Sequence, residues 1–154
     1  MAEYSANAVQ TVNPGESIIF TDVVEPCKRG LIRHRIGTGS FLLSGWSPQK
    51  CGCQVGTDTV DYLVDFGSNI SIPTGGTVEP ISVALTIDGS TIPASTMTVS
   101  PAAVEEYFNV SRAISADIWR GCCESLSIIN ISEQPIQVQN ANVIITRPDL
   151  NVTY

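Results

Sequence analysis

Apolar and polar residues alternate along most of this chain, with the period of two that a β-strand requires. The clearest case is ISVALTIDG at 81–89, which places four aliphatic side chains on one face and four small or polar ones on the other. The segment ends in Asp-Gly, a pair that favours a tight hairpin turn. The same alternation runs through VDYLVDF at 60–66 and AISADIW at 113–119. Each of these segments predicts a strand with one buried and one exposed face.

Six other segments predict further strands, and turn residues separate them at short intervals. Many strands joined by short loops are typical of a sandwich, jelly roll or barrel. We therefore predict a single all-β domain over 1–154, with about nine or ten antiparallel strands. The six segments are SIIF (17–20), SFLLSGW (40–46), NISIP (69–73), STMTV (95–99), ESLSIINI (124–131) and PIQVQNANVIITR (135–147).

Two local features modify this pattern. The last segment is long enough to bend or bulge near Asn140–Asn142. Ser100-Pro101 precedes AAVEEYF, and this pair offers an N-cap followed by proline at the first helical position. We therefore expect at most one short helical turn, at that point in the chain.

Charge is scarce and unevenly placed. Charged residues make up 15% of the chain and hydrophobic ones 43%, and the net charge is −7. This balance disfavours broad binding to nucleic acid, since phosphates require a positive surface. Four of the eight basic residues fall in KRGLIRHR (28–35), which contains no acid. Two interpretations stay open: a basic loop leading into a strand, or a docking patch for the acidic face of a neighbouring copy, formed by Lys28, Arg29, Arg33 and Arg35.

The residues needed for catalysis are hard to assemble. The single histidine, His34, lies between two arginines and has no recognisable catalytic context. No nucleophile elbow, zinc-protease motif or phosphate-binding loop is present. Asp61 and Asp65 share the polar face of one predicted strand, but about 13 Å of strand separates them, which is too far for an acid pair. We predict no enzyme activity, no cofactor and no resident metal.

Five cysteines occur at unusual spacings: Cys27 alone, Cys51 and Cys53 around a glycine, and Cys122 next to Cys123. Structural zinc sites favour two to four intervening residues, so these spacings do not fit one. A bond within the adjacent pair is disfavoured, because Cα atoms about 3.8 Å apart are too close for a disulfide.

Neighbouring residues of a strand face opposite sides, so we expect one of Cys122 and Cys123 to pack in the core and the other to face outward. The outward thiol is then available to Cys27, Cys51 or Cys53, or to another copy. A disulfide cross-link and reduced, packed thiols both remain open, and an odd number of cysteines leaves at least one unpaired or bridging between chains.

The two tryptophans, Trp46 and Trp119, either fill a core or an interface or stack on sugars. Three carboxylates close together in the sequence, Asp58, Asp61 and Asp65, are candidate calcium ligands in the same context. These residues support an alternative function, a carbohydrate- or receptor-binding adhesion module with a glycan as its ligand.

Four segments carry a family resemblance: HRIGTGSFLLSGW, IPTGGTVEPISVALTIDG, GCCESLSIINIS and QPIQVQNANVIITR. They resemble small single-domain proteins of anaerobic Firmicutes and their phages, over nearly all of 1–147. They are also similar to tumour-necrosis-factor-like jelly rolls, including the heads of bacterial collagen-like surface proteins. The resemblance implies a jelly-roll β-sandwich, commonly trimeric, used for display or assembly. The chain departs from the collagen-like proteins in having no Gly-X-Y stalk, and only 6% of its residues are aromatic.

Composition and resemblance together predict a non-enzymatic structural protein that self-associates. We expect a subunit of a phage virion, as capsid decoration or head fibre, or of another surface assembly, with a trimer as the simplest oligomer and other virion or surface proteins as partners. Segments 1–12 and 148–154 are expected to contact neighbouring subunits as edge strands.

The predicted location follows from the first residues, MAEYSANAVQ, which resemble no export signal. No run of 18 apolar residues predicts a membrane helix. The expectation is synthesis in the cytoplasm and a final place on a virion or extracellular particle surface, with no membrane contact.

Overall fold

A computed structural model describes residues 1–46 and 59–148. The elements in these ranges are strands, apart from one turn of 3-10 helix at Pro93–Ser95. The strands are β1 (Ala2–Ala6), β2 (Gln10–Val12), β3 (Asp22–Glu25), β4 (Ile32–His34), β5 (Ser40–Ser44), β6 (Thr59–Ser71), β7 (Ile81–Ile87), β8 (Ser90–Thr91), β9 (Met97–Val99), β10 (Phe108–Trp119), β11 (Cys123–Asn130) and β12 (Ile136–Thr146).

These strands form two antiparallel sheets. The first has the order β10-β6-β12-β1-β3, and β2 also pairs with β12. The second has the order β4-β5-β11-β7-β8, and β9 also pairs with β7. From β5 onward the chain changes sheet repeatedly: β6, β10 and β12 lie in the first sheet, whereas β7 to β9 and β11 lie in the second. This winding between two facing sheets makes the fold an all-β jelly-roll sandwich, as predicted.

The core lies between the sheets, and the period-two pattern places it there. In β6 the side chains of Val60, Tyr62, Val64 and Phe66 are buried, whereas those between them are exposed. The strands predicted from 60–66, 81–87 and 113–119 are confirmed as β6, β7 and the end of β10. In β7, however, Ala84 and Thr86 are also buried, so this strand lacks the predicted exposed face. Each fully buried aliphatic or aromatic side chain contributes about 1.5–3 kcal/mol, so this interface dominates the stability of the domain.

The predicted strand SIIF is wrong. Ser17 and Phe20 form only isolated bridges, to Ile129 and Thr38. The side-chain amide of Gln10 takes the place of a neighbouring strand, since it donates to the Ile19 carbonyl at 2.9 Å and accepts from the Ile19 amide at 2.8 Å. The amide and carbonyl of Ile19 are satisfied in this way and do not need hydrogen bonds to a neighbouring strand.

The predicted helical turn after Ser100-Pro101 is also wrong. The carboxylate of Glu106 accepts hydrogen bonds from the amides of Ala102 and Ala103, at 2.8 and 3.3 Å. Glu105 adopts a φ of 60°, a left-handed conformation that an α-helix does not tolerate. The segment is therefore a series of turns, and the short helical element lies earlier, at Pro93–Ser95.

The predicted irregularity in β12 is confirmed. Its register against β6 shifts between Gln139 and Asn142, and Asn140 has a φ of 52°. Asparagine tolerates this left-handed conformation better than most residues. The bulge lets one long strand pair with β2 at its start and β1 at its end.

Both terminal segments can be placed in part. Segment 1–12 pairs within its own chain, since β1 lies between β12 and β3 and β2 pairs with β12. In the C-terminal segment 148–154, residues 149–154 lie outside the described ranges. Their expected contacts with other subunits stay predictions. In the parts of the chain described, no helix has the length and apolar composition needed to span a membrane.

Candidate functional site

Two exposed tryptophans lie at one corner of the sandwich. Trp46 follows β5 in the second sheet, and Trp119 is the last residue of β10 in the first. The side chains are 56% and 57% exposed, respectively. These are large apolar rings left in water at positions where strands end, so neither fills the core.

Gly45 brings the two tryptophans to the same corner. Its amide donates to the Cys122 carbonyl at 2.7 Å, and the Gly121 amide donates to the Gly45 carbonyl at 3.2 Å. A Cβ on Gly45 would lie only 1.8 Å from the carbonyl oxygen of Trp119. The backbone before Trp46 therefore lies directly against the turn that follows Trp119, and only glycine permits this contact.

Buried Arg147 binds the backbone of the segment that contains Trp46. The sequence pattern alone does not predict this role. The side chain is only 3% exposed, and its Nη1 donates to the carbonyls of Ser44 and Trp46. The guanidinium lies 5.6 Å from the centre of the Tyr62 ring. The one signal in the sequence is the arginine that directly follows the apolar alternation NVIIT, at a strand end where a charged side chain would ordinarily be solvated.

Tyr62 completes this support. Its hydroxyl donates to the Ser44 carbonyl at 2.7 Å and to the Leu31 carbonyl at 3.3 Å. Burial raises the pKa of Tyr62, although the neighbouring Arg147 partly opposes this effect. The neutral hydroxyl thus serves as a fixed donor that ties β6 to the chain before Trp46.

A groove runs from Trp46 along the basic segment. It has a volume of about 630 Å³ and is lined by Trp46, Ser44, Leu31, Gly30, Arg29 and Arg33. A second, adjoining groove of about 460 Å³ is lined by Arg33, His34, Arg35, Thr38, Ser40 and Leu42. Arg33 lines both grooves, so they form one surface, which we call the Trp–Arg groove.

The structure therefore brings three of the four predicted docking residues together. Arg29, Arg33 and Arg35 line the Trp–Arg groove. Lys28 is not part of its lining and forms an ion pair with Glu25 at 3.6 Å. The sequence interpretation of a basic loop leading into a strand also describes this segment, because β4 begins at Ile32.

His34 has a structural role beside this groove. Its ring stacks on Phe41 with centroids 4.4 Å apart and meets the edge of Tyr4 at 4.9 Å. Its two ring nitrogens lie 3.0 Å from the Ser40 carbonyl and 3.3 Å from the Phe20 carbonyl. Since both nitrogens face backbone oxygens, the ring presents neither of them to a substrate.

The predicted carboxylates do not form a calcium site in the described ranges. Asp61 and Asp65 are exposed on the outward face of β6, as the alternation predicts. Asp61 lies opposite Asp117 of β10, and Asp65 lies between Ala113 and Ile144. Asp58 falls outside the residues that the structure describes. Across 1–46 and 59–148, no three or more His, Cys, Asp or Glu side chains are grouped to hold a metal ion.

The expectation that one of the adjacent cysteines packs in the core is wrong. Cys122 and Cys123 are both exposed free thiols. β11 begins only at Cys123, so Cys122 belongs to the preceding turn and the strand alternation does not apply to it. The first inward side chain of β11 is instead Glu124, whose carboxylate accepts the Trp119 amide at 3.4 Å.

The remaining cysteines leave the predicted cross-link untested. Cys27 is a free, half-buried thiol that packs against the core. Burial opposes its ionisation, but hydrogen bonds from the amides of Ile32, Arg29 and Leu31 lower its pKa below the ordinary value. Cys51 and Cys53 lie outside the described residues, so a disulfide that involves them stays a prediction.

Comparisons with known proteins concern the fold. No protein-family model matches the chain, and no curated protein matches its sequence. The globular domain of zebrafish complement 1qA protein is 11% identical over 93% of this chain and 94% of that one, with a TM-score of 0.49. A family 35 carbohydrate-binding module from Clostridium thermocellum is 16% identical over 92% and 91%, with a TM-score of 0.35. Another family 35 module, from an environmental isolate, is 14% identical over 96% and 97%, with a TM-score of 0.37. At these identities and TM-scores the likeness assigns no ligand or activity to this chain.

Proposed function

We propose that this chain is a non-enzymatic carbohydrate-binding module, and that Trp46 and Trp119 form its contact surface. The observation that carries the proposal is a pair of tryptophans, each more than half exposed, whose backbone segments meet at Gly45. An indole ring stacks on the apolar face of a pyranose and donates its Nε1–H to a hydroxyl, so such a pair suits a sugar ligand.

Two further features support this proposal. Gly45 and Arg147 fix the backbone beside the rings, so little ordering is required when a ligand binds. The adjoining groove offers guanidinium groups and the Ser44 hydroxyl as hydrogen-bond partners for a sugar.

The test is a glycan array followed by calorimetry on the strongest ligand. Trp46→Ala and Trp119→Ala should each weaken binding by about tenfold or more, which is about 1.4 kcal/mol. Tyr107→Ala is the matched control, because Tyr107 is an exposed aromatic residue beside the opposite end of β10. Binding that neither tryptophan variant changes would contradict the proposal.

A second candidate function is a self-associating structural subunit, and the distribution of charge favours it. The outward face of the first sheet carries Glu3, Asp61, Asp65 and Asp117, whereas Arg33 and Arg35 line a groove on the second. A head-to-tail contact between copies would bring these opposite charges together.

Light scattering in low salt should then detect an oligomer that 0.5 M salt weakens, because exposed charges are screened. The double variant Asp61→Lys, Asp65→Lys should abolish it, and adding Arg33→Glu and Arg35→Glu should restore it. Glu133→Lys, at an exposed turn, is the control. A monomer at high protein concentration would count against this candidate and against the expected trimer. Electron microscopy of purified particles tests the more specific expectation of a virion or surface location.

A further inference from the structure

We propose that the carbohydrate bound at this corner is acidic, with a carboxylate or sulfate group held in the Trp–Arg groove. This inference rests on the proposed carbohydrate-binding function and adds the chemical class of the ligand. Its basis is the lining of the groove, which includes one exposed indole and three guanidinium groups.

The groove concentrates positive charge in a protein that has little of it. The chain has eight basic residues and a net charge of −7, yet three arginines line this one surface. The linings of both parts of the groove contain no Asp or Glu within the described residues. The two linings thus bring guanidinium groups together without a carboxylate among them, and such an arrangement attracts an anion.

Arginine is also the residue best suited to binding a carboxylate or sulfate group. Its planar guanidinium donates two parallel hydrogen bonds to a carboxylate or sulfate, which a lysine ammonium does not. Arg33 is partly oriented already, because its Nε–H donates to the Gly30 carbonyl at 3.3 Å. Its central place, where the two parts of the groove meet, makes it the main candidate for contact with the anionic group.

The position of Trp46 distinguishes an acidic sugar from a simple anion. The indole and the two arginines Arg29 and Arg33 line the same part of the groove. A ligand with a pyranose face and an attached anion, such as a uronic acid or a sulfated sugar, meets both requirements at once. A bare anion or a neutral sugar meets only one of them.

The experiment measures affinities for three probes: a galacturonate oligosaccharide, its neutral methyl ester and a sulfated chondroitin oligosaccharide of equal length. Arg33→Gln should weaken binding of the acidic probe about tenfold or more and leave any binding of the methyl ester unchanged. Arg33→Lys keeps the charge but loses the bidentate geometry, so it should retain only part of the affinity. Circular dichroism and thermal midpoints confirm that each variant is folded.

Arg112→Gln is the matched control. Arg112 is exposed on β10 and donates its Nε–H to the Ala94 carbonyl at 3.0 Å, as Arg33 does to Gly30. The two substitutions change the net charge equally, so only Arg33→Gln should alter affinity.

The outcomes separate the two proposals. If only the sulfated probe binds, and binding depends on Arg33, the inference holds with sulfate as the anion. If the methyl ester binds as tightly as the acid, with dependence on the tryptophans and not on Arg33, the acidic class is wrong and carbohydrate binding stands. If no glycan binds, the proposed function itself fails. If single-stranded DNA of equal charge binds more tightly than either acidic probe, the groove recognises charge alone and the inference is overturned.

Discussion

Gly45 shows how one residue without a side chain determines a site. Its amide and carbonyl both bond to the turn after Trp119, and its Cα faces that turn closely enough to exclude a methyl group. The conformation is ordinary, since Gly45 is not among the residues with positive φ. Space, not backbone freedom, requires glycine here.

Gly45→Ala should therefore lower the free energy of unfolding by about 3 kcal/mol, because the new Cβ meets backbone atoms that cannot rotate away. Urea denaturation measures the effect. Gly67→Ala in β6 is the control: its Cβ would meet nothing closer than 3.8 Å, and its stability should stay within about 1 kcal/mol of the wild type. Equal stability of the two variants would show that the contact at Gly45 is looser than described.

Asn130 is a buried polar residue whose amide joins three segments. Its Nδ2 donates to the carbonyls of Val12 and Gln134, both at 2.9 Å, and its Oδ1 accepts from the Ser132 amide at 2.8 Å. All of its hydrogen-bonding groups are thus satisfied without water.

Asn130→Asp keeps the shape but replaces the donor with a carboxylate oxygen that faces two carbonyls. The cost should be about 3–5 kcal/mol, as for a buried charge without a partner. Asn7→Asp, at an exposed position outside the strands, should change stability by about 0.5 kcal/mol or less. Similar thermal midpoints for the two variants would contradict the role assigned to Asn130.

Among the elements, β12 pairs with three other strands, β1, β2 and β6. Its bulge at Asn140 changes the register between the two halves, so that each half turns its apolar side to the core. Without the one extra residue, one half would expose its hydrophobic positions.

The left-handed conformation of Asn140 leads to a graded prediction. Asn140→Gly should leave stability nearly unchanged, whereas Asn140→Val should reduce it by about 1–2 kcal/mol, because a β-branched side chain clashes at positive φ. Asn140 is exposed, so neither substitution alters core packing, and the difference in stability reports on the backbone conformation. Chemical denaturation of the pair measures the difference, and a valine variant as stable as the glycine one would contradict it.

In the molecule as a whole, pH should act on stability through buried tyrosines. Burial raises the pKa of Tyr4 and of Tyr62, and for Tyr4 the nearby Cys27 adds to the effect. The folded state then holds these protons at pH values where the unfolded chain, with a tyrosine pKa of about 10, releases them. Stability from these groups is full below pH of about 10 and is lost as pH rises toward the folded pKa values.

We therefore expect the urea midpoint to fall as the pH rises above about 10. Tyr62→Phe should be less stable near neutral pH by about 1 kcal/mol, because its hydroxyl bonds are lost, but its stability should fall less steeply in alkali. Tyr107→Phe, at an exposed position, should keep the wild-type slope. An unchanged slope in Tyr62→Phe would exclude Tyr62 as a source of the pH dependence.

The features that depend only on residues close together in the sequence could be predicted from it. Strand alternation identified the buried side chains of β6 and of the end of β10, and the Asn-rich break located the bulge in β12. The failures share a cause: SIIF and AAVEEYF follow good local patterns, yet the side chains of Gln10 and Glu106 satisfy their backbone groups in other ways. Likewise, Cys122 lies one residue before its strand, where alternation no longer decides which way a side chain faces.

In the candidate site too, some features follow from the sequence and others only from the tertiary structure. The sequence by itself determined that the chain is an all-β sandwich and that two tryptophans and four basic residues are its distinctive surface groups, because composition and period-two patterns are local properties. Only the tertiary structure decided that Trp46 and Trp119 share a corner, that Arg147 supports it from within, and that Arg29, Arg33 and Arg35 line its groove while Lys28 does not. Those relations depend on contacts between segments far apart in the chain, and no local pattern encodes them.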